Sequence, residues 1–294
     1  MDYDLTRSQF NRLVRDYRPS QYETFGAQDA RFTTPMNHAL KCRDRLHVAL
    51  RSGLQRLPDG PPTIVDFGPF PGSLLRLLRG LEPTRAARLF GAGLMASPEF
   101  VQFMRQDADV EVLTVNLDPD GQQFTSKGYQ EKVPLPDHSA QLVFALEIVE
   151  HLTSPFHLMT EAYRLLKPGG RYGIHELCLI PDDLAESTKL EIQNDLSSAI
   201  HHGTRPLTMA EWQGVLEAEG FLVQTQAQAP MHLLEPWRII QDEGMFGALR
   251  FAFNLLCNRE ARRRVLAMRH VFRKYRDNMA AVVFIGQKKE AVPQ

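Results

Sequence analysis

The sequence has little cysteine and no long apolar run. Its three cysteines, Cys42, Cys178 and Cys257, are widely separated and form no C-x-x-C pair. This pattern argues against a disulfide framework and a cysteine-ligated zinc site, and it suits a reducing compartment. No apolar stretch approaches the roughly 18 residues that a membrane-spanning helix needs, and the charged residues 1–30 lack the apolar core of a signal peptide. We therefore expect a cytoplasmic protein without a transmembrane segment.

A strong net charge is missing as well. The 34 Lys and Arg residues nearly balance the 35 Asp and Glu residues, giving a net charge of -1. Whole-chain electrostatics therefore do not favour nucleic acid as a partner. The 10 histidines are scattered without the spacing of a metal site, so we predict no metal centre. With 294 residues, 43% of them hydrophobic, the chain can bury a substantial core.

From residue 61 onward, short apolar runs alternate with helical stretches. The runs predict seven strands, near residues 63–67, 87–92, 110–115, 141–146, 171–179, 221–228 and 280–287. Such alternation is typical of an α/β fold with a mostly parallel sheet and helices on both of its faces.

Two helices carry clear end signals. Ser154 and Pro155 predict the start of a helix that Lys167-Pro168-Gly169-Gly170 ends. Thr208 and Glu211 have the spacing of a capping box, in which each side chain accepts a hydrogen bond from the other residue's backbone. We therefore expect a helix to begin after Thr208.

Two segments depart from the simple alternation and set the expected domain boundaries. We predict an N-terminal helical cap at 1–60, a core at 61–234, a helical insertion or lid at 235–278, and the last strand with a tail at 279–294. Long excursions in a compact domain are usually lids or binding elements. Residues 250–276 hold nine Lys and Arg and one acid, Glu260, so the neutral total hides a local basic strip.

The stretch IVDFGPFPG indicates a ligand-binding turn. Asp66 ends the first predicted strand, Gly68 and Gly72 bracket the turn, and Ser73 can begin the next helix. In doubly wound sheets, ligands bind beyond the carboxyl ends of the strands, near a helix N-terminus. The dinucleotide fingerprint G-x-G-x-x-G is absent. A plain strand-to-helix turn with two glycines remains an alternative.

Three motifs in order, IVDFGPFPG, PLPDHSAQLVFALEIVEHL and HLMTEAYRLLKPGG, resemble the class I S-adenosylmethionine-dependent methyltransferases, particularly the small-molecule, ubiquinone-biosynthesis type. The resemblance covers roughly residues 61–180. It implies a Rossmann-like, seven-stranded, mostly parallel sheet and S-adenosyl-L-methionine as the cofactor. In the family's D-x-G-x-G-x-G loop, Asp66, Gly68 and Gly72 match fixed positions, whereas Phe70 replaces the middle glycine.

The same resemblance implies further cofactor contacts. Asp118 matches the aspartate on the adenine side, although a turn-forming role ahead of Pro119 is equally open. Glu147 follows the fourth strand at the ligand edge of the sheet. The family usually carries an acid for the ribose hydroxyls after the second strand, where this chain has Gly93. The predicted cofactor residues are therefore Asp66, Gly68, Gly72, Asp118 and Glu147.

Three residues are candidates for the reaction chamber. His151 belongs to the EHL step that the family shows after the fourth strand. On the fifth strand, His175 and Glu176 are adjacent, so their side chains must point to opposite faces. The resemblance favours Glu176 as the residue that faces the pocket, whereas His175 is the better base near neutral pH. A structural role is open for each of them.

These features predict methyl transfer from S-adenosylmethionine to a small organic acceptor. A degenerate binding or scaffold protein of the same fold is the alternative, because Phe70 and Gly93 depart from the family pattern. For the segment 245–276 we consider a lid packed on the body, transient contact with an anionic or lipid surface, and nucleic acid, which is the weakest of the three. Half of this segment must pack, since its apolar residues recur at helical spacing.

Overall fold

A computed structural model describes residues 61–69, 72–80, 84–93, 98–119, 129–146, 148–149, 152–200, 204–230 and 234–289. The helical cap predicted at 1–60 lies outside the described residues.

The strands form one mixed sheet. They are β1 Thr63–Phe67, β2 Arg88–Gly93, β3 Val110–Thr114, β4 Ala140–Leu146, β5 Leu166–Leu179, β6 Leu207–Thr208, β7 Phe221–Pro230 and β8 Met279–Lys288. The order is β3-β2-β1-β4-β5-β8-β7, and β6 pairs with β5 outside this path. Strands β1 to β5 pair in parallel, whereas β8 is antiparallel to both β5 and β7. The predicted mostly parallel sheet is confirmed. We missed only β6, whose two residues are too few to show an alternating pattern.

Helices follow the strands as the alternation predicted. They are α1 Ser73–Gly80, α2 Pro98–Ala108, α3 Phe156–Leu165, α4 Glu186–Ile200, α5 Met209–Ala218, α6 Pro236–Cys257 and α7 Arg259–Lys274. Helices α6 and α7 confirm the helical insertion before the last strand. None of the described helices is both long and apolar enough to cross a bilayer.

The capping box at the start of α5 is confirmed. The hydroxyl of Thr208 accepts the Glu211 N–H at 3.3 Å, and the Glu211 carboxylate accepts the Thr208 N–H at 2.8 Å. Helix α3 begins one residue later than predicted, because Pro155 is its N-cap and Phe156 its first helical residue. The Ser154 hydroxyl still accepts the Phe156 N–H, at 3.4 Å.

The cation at the C-terminus of α3 comes from a distant strand. The Lys288 ammonium donates to the carbonyls of Tyr163 and Leu166, which lie in or next to the last turn of the helix. Lys167, the cation that the local sequence offers for this position, is exposed instead. Burial lowers the pKa of Lys288 below its ordinary value. A side chain more than a hundred residues away in sequence therefore satisfies the last carbonyls of α3.

Three apolar clusters hold the helices on the sheet. The face toward α3 and α5 buries, among others, Val65, Phe67, Tyr172, Trp212 and Phe284. The face toward α1 and α2 buries, among others, Ile64, Leu74, Phe100, Phe144 and Ile285. The insertion cluster, which joins α4, α6 and α7 to the ends of β5 and β8, includes Leu179, Ile192, Phe251, Val265, Phe272 and Met279.

Candidate functional site

The strand order reverses between β1 and β4, which makes their carboxyl ends the natural ligand crevice. From β1 the chain builds outward to β2 and β3 on one side, and then returns to β4 on the other. A crevice opens at such a switch point because the connections on either side run in opposite directions. The predicted site residues that the structure describes fall at this edge, at the end of β1, in the turn that follows it, after β3 and near the end of β5.

The turn after β1 needs glycine for physical reasons. Gly68 has φ +66° and Gly72 has φ +86°, in the left-handed region that residues with a side chain rarely adopt. The Gly68 N–H donates to the Ala92 carbonyl of β2 at 2.9 Å, and a Cβ on Gly68 would collide with Ile148. Asp66, only 1% exposed, lies two residues before this turn. The turn therefore brings bare backbone beside a buried carboxylate.

Strand β2 makes room for Pro69 of this turn. A Cβ on Gly91 would lie 2.7 Å from Cγ of Pro69, so only glycine fits beneath that ring. Gly93, where the ribose-binding acid was expected, is different: a Cβ there would lie 3.6 Å from Gly68 Cα, an ordinary contact. A β-carbon at position 93 would therefore fit without a clash. Phe70, which stands where the family loop has its middle glycine, lies outside the described residues.

Helix α1 begins directly at this turn. The Arg76 N–H donates to the Gly72 carbonyl at 3.1 Å, so Gly72 stands at the N-cap. The first N–H groups of a helix have no intrahelical acceptor and carry partial positive charge. The crevice thus combines a buried carboxylate with a helix N-terminus a few residues later.

Two buried carboxylates hold the β4 loop, which we define as residues 147–153. Oε1 of Glu176 accepts the N–H groups of Ile148 and Val149, each at 2.9 Å. Oδ2 of Asp118 accepts the Thr153 N–H at 3.0 Å. Glu176 is 1% and Asp118 5% exposed. The loop is therefore held by Glu176 of the neighbouring strand β5 and by Asp118, which follows the more distant strand β3.

This geometry changes how two predicted residues act. Glu176, expected to face the pocket, directs one oxygen to the backbone of the β4 loop. The Asp118 N–H donates to Oδ1 of Asn116 at 3.1 Å, which is the turn-forming arrangement left open for this aspartate. Glu147 and His151 belong to the same loop but lie outside the described residues. Local sequence patterns do not indicate the hydrogen bonds from Glu176 and Asp118 to the β4 loop, because these bonds join residues 27 to 35 positions apart.

His175 lies on the face of β5 opposite to Glu176. It sits between Leu146 of β4 and Val283 of β8 in the sheet and is largely buried. Tyr172, four residues before Glu176 and on the same face of the strand, packs in the core toward α3 and α5. Burial, together with the charge of Glu176, raises the pKa of Tyr172 well above its ordinary value. Tyr172 therefore stays protonated at neutral pH and cannot act as a base.

An apolar cavity of about 310 Å³ lies between the β4 loop and α5. Its lining includes Val149 and Leu152 of the loop, Trp212 of α5, and the charged residues Arg205 and Glu211. None of the predicted site residues that the structure describes lines it. Among the described residues, no group of three His, Cys, Asp or Glu side chains is arranged to hold a metal ion.

The sequence of this region matches a known family and several known proteins. Residues 65–174 match the family model described as a methyltransferase domain. An uncharacterized protein of Haemophilus influenzae is 31% identical over 127 residues, 42% of this chain and 49% of that protein. The 27-O-demethylrifamycin SV methyltransferase of Amycolatopsis mediterranei is 24% identical over 106 residues, 36% of this chain and 38% of that enzyme. The chain thus spans less than half of the length of both relatives.

A solved structure shares the fold. The phosphoethanolamine N-methyltransferase 2 of Haemonchus contortus, in complex with phosphomonomethylethanolamine and S-adenosylhomocysteine, aligns with a TM-score of 0.57 and 19% identity. The alignment covers 84% of this chain and 53% of that chain. At this level of identity the likeness concerns the fold alone.

Proposed function

We propose, from the premise that residues 65–174 form a class I S-adenosylmethionine-dependent methyltransferase domain, that this chain methylates a small organic acceptor. The observation that carries the proposal is the arrangement after β1, where buried Asp66 precedes two glycines in the left-handed region and the start of α1. We further propose that the reaction takes place in the cytoplasm.

The residues present fit the cofactor of this family, S-adenosyl-L-methionine. Its methionine end carries an ammonium and a carboxylate, and its sulfonium supplies an electrophilic methyl group. Asp66 offers a carboxylate for the ammonium, and the N–H groups at the start of α1 offer donors for the carboxylate. Gly68 and Gly72 give the turn its left-handed backbone, and a Cβ at either position would collide with Ile148 or Met104. Glu147 and Asp118 remain proposed cofactor residues, Asp118 through its hold on the β4 loop.

Methyl transfer from a sulfonium is an in-line displacement, so positioning contributes much of its acceleration. In this proposal Glu176 is a positioning residue, because its Oε1 fixes the Ile148 and Val149 backbone at the end of β4. His151 and His175 remain the proposed proton acceptors for an acceptor that must lose a proton. The two histidines can be separated by the pH profile of kcat in single variants.

The insertion at 235–278 is the proposed lid. Its cluster contains Leu179 at the carboxyl end of β5 and Met279 at the start of β8, so the insertion is anchored beside the strand ends. The predicted contact of residues 245–276 with an anionic or lipid surface is also part of this proposal.

Calorimetry with S-adenosylmethionine tests the cofactor site. Asp66→Ala should weaken binding by roughly tenfold to a hundredfold, because it removes a charge-assisted hydrogen bond. Arg269→Ala, which changes a side chain on α7 next to Glu235, should leave the affinity nearly intact. No binding by the unaltered chain at about millimolar cofactor, or equal affinity of the two variants, would reject this site.

Turnover is tested separately by release of S-adenosylhomocysteine across a panel of small acceptors. Cofactor binding with product release for at least one acceptor supports the enzyme. Binding without turnover across the panel would favour the degenerate scaffold protein instead.

A further inference from the structure

Helix α6 carries an apolar face that the described part of the fold leaves uncovered. Phe246 is 88%, Leu249 59%, Phe253 63% and Leu256 73% exposed. These residues follow one another at intervals of three or four, so they lie on one side of the helix, over about 15 Å. Met245 extends the same face. Large apolar residues exposed singly are ordinary, whereas a contiguous row of them marks an interaction surface.

The opposite side of α6 is packed. Phe251 is buried in the insertion cluster, and Ala248 and Leu255 pack against it. The run MFGALRFAFNLLC in this helix is apolar almost throughout, so its sequence does not separate a packed side from an exposed one. The structure divides that run into one packed and one exposed side. The residues of the exposed side therefore do not contribute to the core of this insertion.

The charges of the insertion are also divided. Arg269 and Arg273 contact Glu235, and Lys274 contacts Glu191 and Asp195. The corner between α6 and α7 differs, because neither Arg259 nor Arg263, both exposed, has a carboxylate partner among the described residues. The side chain of Arg250, at the edge of the apolar face, is exposed too. The row of apolar side chains thus ends in a cationic corner.

This charge pattern disfavours a second copy of the chain as the occupant of the face. Residues 245–274 hold eight Lys and Arg and one acid, Glu260. A two-fold interface on this face would gather the arginines of both copies around one apolar patch, with too few acids to offset them. A layer of anionic headgroups over acyl chains matches both the charge and the apolar row.

We propose that α6 docks on the surface of an anionic lipid bilayer, with Phe246, Leu249, Phe253 and Leu256 inserted among the acyl chains and the arginines of the α6–α7 corner at headgroup level. The helix then lies in the plane of the interface. Arg269, Arg273 and Lys274 of α7, which are paired with carboxylates, have no part in this docking, although they belong to the basic strip of the sequence. Docking requires only the insertion and does not depend on the proposed methyl transfer.

Vesicle flotation of the full chain tests this docking. The lipids are phosphatidylcholine mixed with phosphatidylglycerol, and phosphatidylcholine alone. Leu249→Asp should weaken binding to the anionic vesicles about tenfold or more, since it puts a charge into the inserted row. Leu190→Asp is the matched control, because Leu190 is 58% exposed on α4 and does not belong to the apolar row of α6, and it should bind as the unaltered chain does.

The cationic corner is tested by charge. Arg259→Ser with Arg263→Ser should weaken binding to anionic vesicles about fivefold for each arginine removed. The control, Arg85→Ser with Lys167→Ser, removes the same charge from exposed positions elsewhere and should change little. Added salt should weaken binding of the unaltered chain, because exposed charges are screened.

A Phe253→Trp variant keeps the face apolar and reports insertion directly. Its fluorescence should be quenched by lipids brominated on the acyl chains, and more than that of a Leu190→Trp control. Four results would each overturn the proposal: no flotation of the unaltered chain with anionic vesicles, equal binding of the two Asp variants, no extra quenching at position 253, or a solution dimer that Leu249→Asp dissociates. The last result would assign the face to a second copy. An unchanged midpoint of urea unfolding for Leu249→Asp would show that its fold is intact.

Discussion

The strand-end crevice and the helical insertion use acidic side chains in different ways. In the crevice, Glu176 and Asp118 are buried and accept hydrogen bonds from backbone N–H groups of the β4 loop. In the insertion, the carboxylate of Glu235 is partly exposed and forms a salt bridge with the guanidinium of Arg273 at 2.8 Å. The first arrangement fixes the main chain of a loop, whereas the second joins two side chains at a surface.

The difference shows where removal of a carboxylate is costly. A backbone N–H that loses its acceptor in a buried site retains the full penalty of its desolvation. A surface cation that loses its acid is solvated by water, so such pairs contribute little. The loop over the crevice should therefore be sensitive to single substitutions, and the surface of the insertion should tolerate them.

The largest effect should come from Glu176→Ala. It leaves the Ile148 and Val149 N–H groups without their acceptor, at a cost of about 2–4 kcal/mol in the free energy of unfolding. Urea unfolding measures this loss. Glu176→Gln retains an oxygen at this position and should recover most of the stability, whereas exposed Glu111→Ala on β3 should have little effect. Equal loss in the Ala and Gln variants would contradict a hydrogen-bonding role.

Asp118→Ala should cost less, about 1–2 kcal/mol, because it removes the acceptor of one N–H group, that of Thr153. Since Asp118 and Glu176 hold opposite ends of one loop, their effects should not be additive. A double-mutant cycle in the same urea experiment measures the coupling. Strictly additive losses would mean that the two carboxylates act on independent parts of the structure.

Glu235→Gln should have a smaller effect than either strand-end substitution. Its hydrogen bond with Arg273 lowers the pKa of Glu235 below its ordinary value, but the pair is exposed to solvent and screened by salt. Thermal unfolding at low and high salt checks this. The small difference between variant and unaltered chain should vanish at high salt, and a large, salt-independent loss would remove the contrast between the two regions.

The smallest expected effect concerns pH. Lys274 lowers the pKa values of Glu191 and Asp195 through side-chain hydrogen bonds. An acid whose pKa is lower in the folded state stabilises that state above its unfolded pKa and loses this contribution as the pH falls through the folded value. Stability should therefore decline below about pH 4 more in the unaltered chain than in Lys274→Met. Parallel pH profiles of the two urea midpoints would argue against this contribution.

Local sequence signals predicted the elements of the fold well. Thr208 and Glu211 specify the start of α5 through contacts only three residues apart, and short apolar runs marked every long strand. Local sequence signals did not predict contacts between residues that are far apart in the sequence. Lys288 reaches the end of α3 from the last strand, and no local pattern distinguishes it from Lys167, which stands beside that helix end.

The candidate site was predicted in position but less in detail. Asp66, Gly68 and Gly72 were identified because the turn after a first strand has a recognisable pattern. That Glu176 would hold the loop after β4 depends on how adjacent strands align, which single-strand alternation does not specify. In the same way, the apolar run of α6 gave no means to tell its packed face from its exposed one.

Pro69 and Gly91 form a matched pair across two parallel strands. Since the proline ring fills the space that a β-carbon at position 91 would need, neither position can be varied without regard to the other. A directed-evolution library that introduces a smaller residue at 69 should also diversify 91, because a side chain at 91 could then fill the space that the proline ring leaves. A substitution at 91 alone would place its Cβ against the ring of Pro69, and a smaller residue at 69 alone would leave the space above Gly91 unfilled.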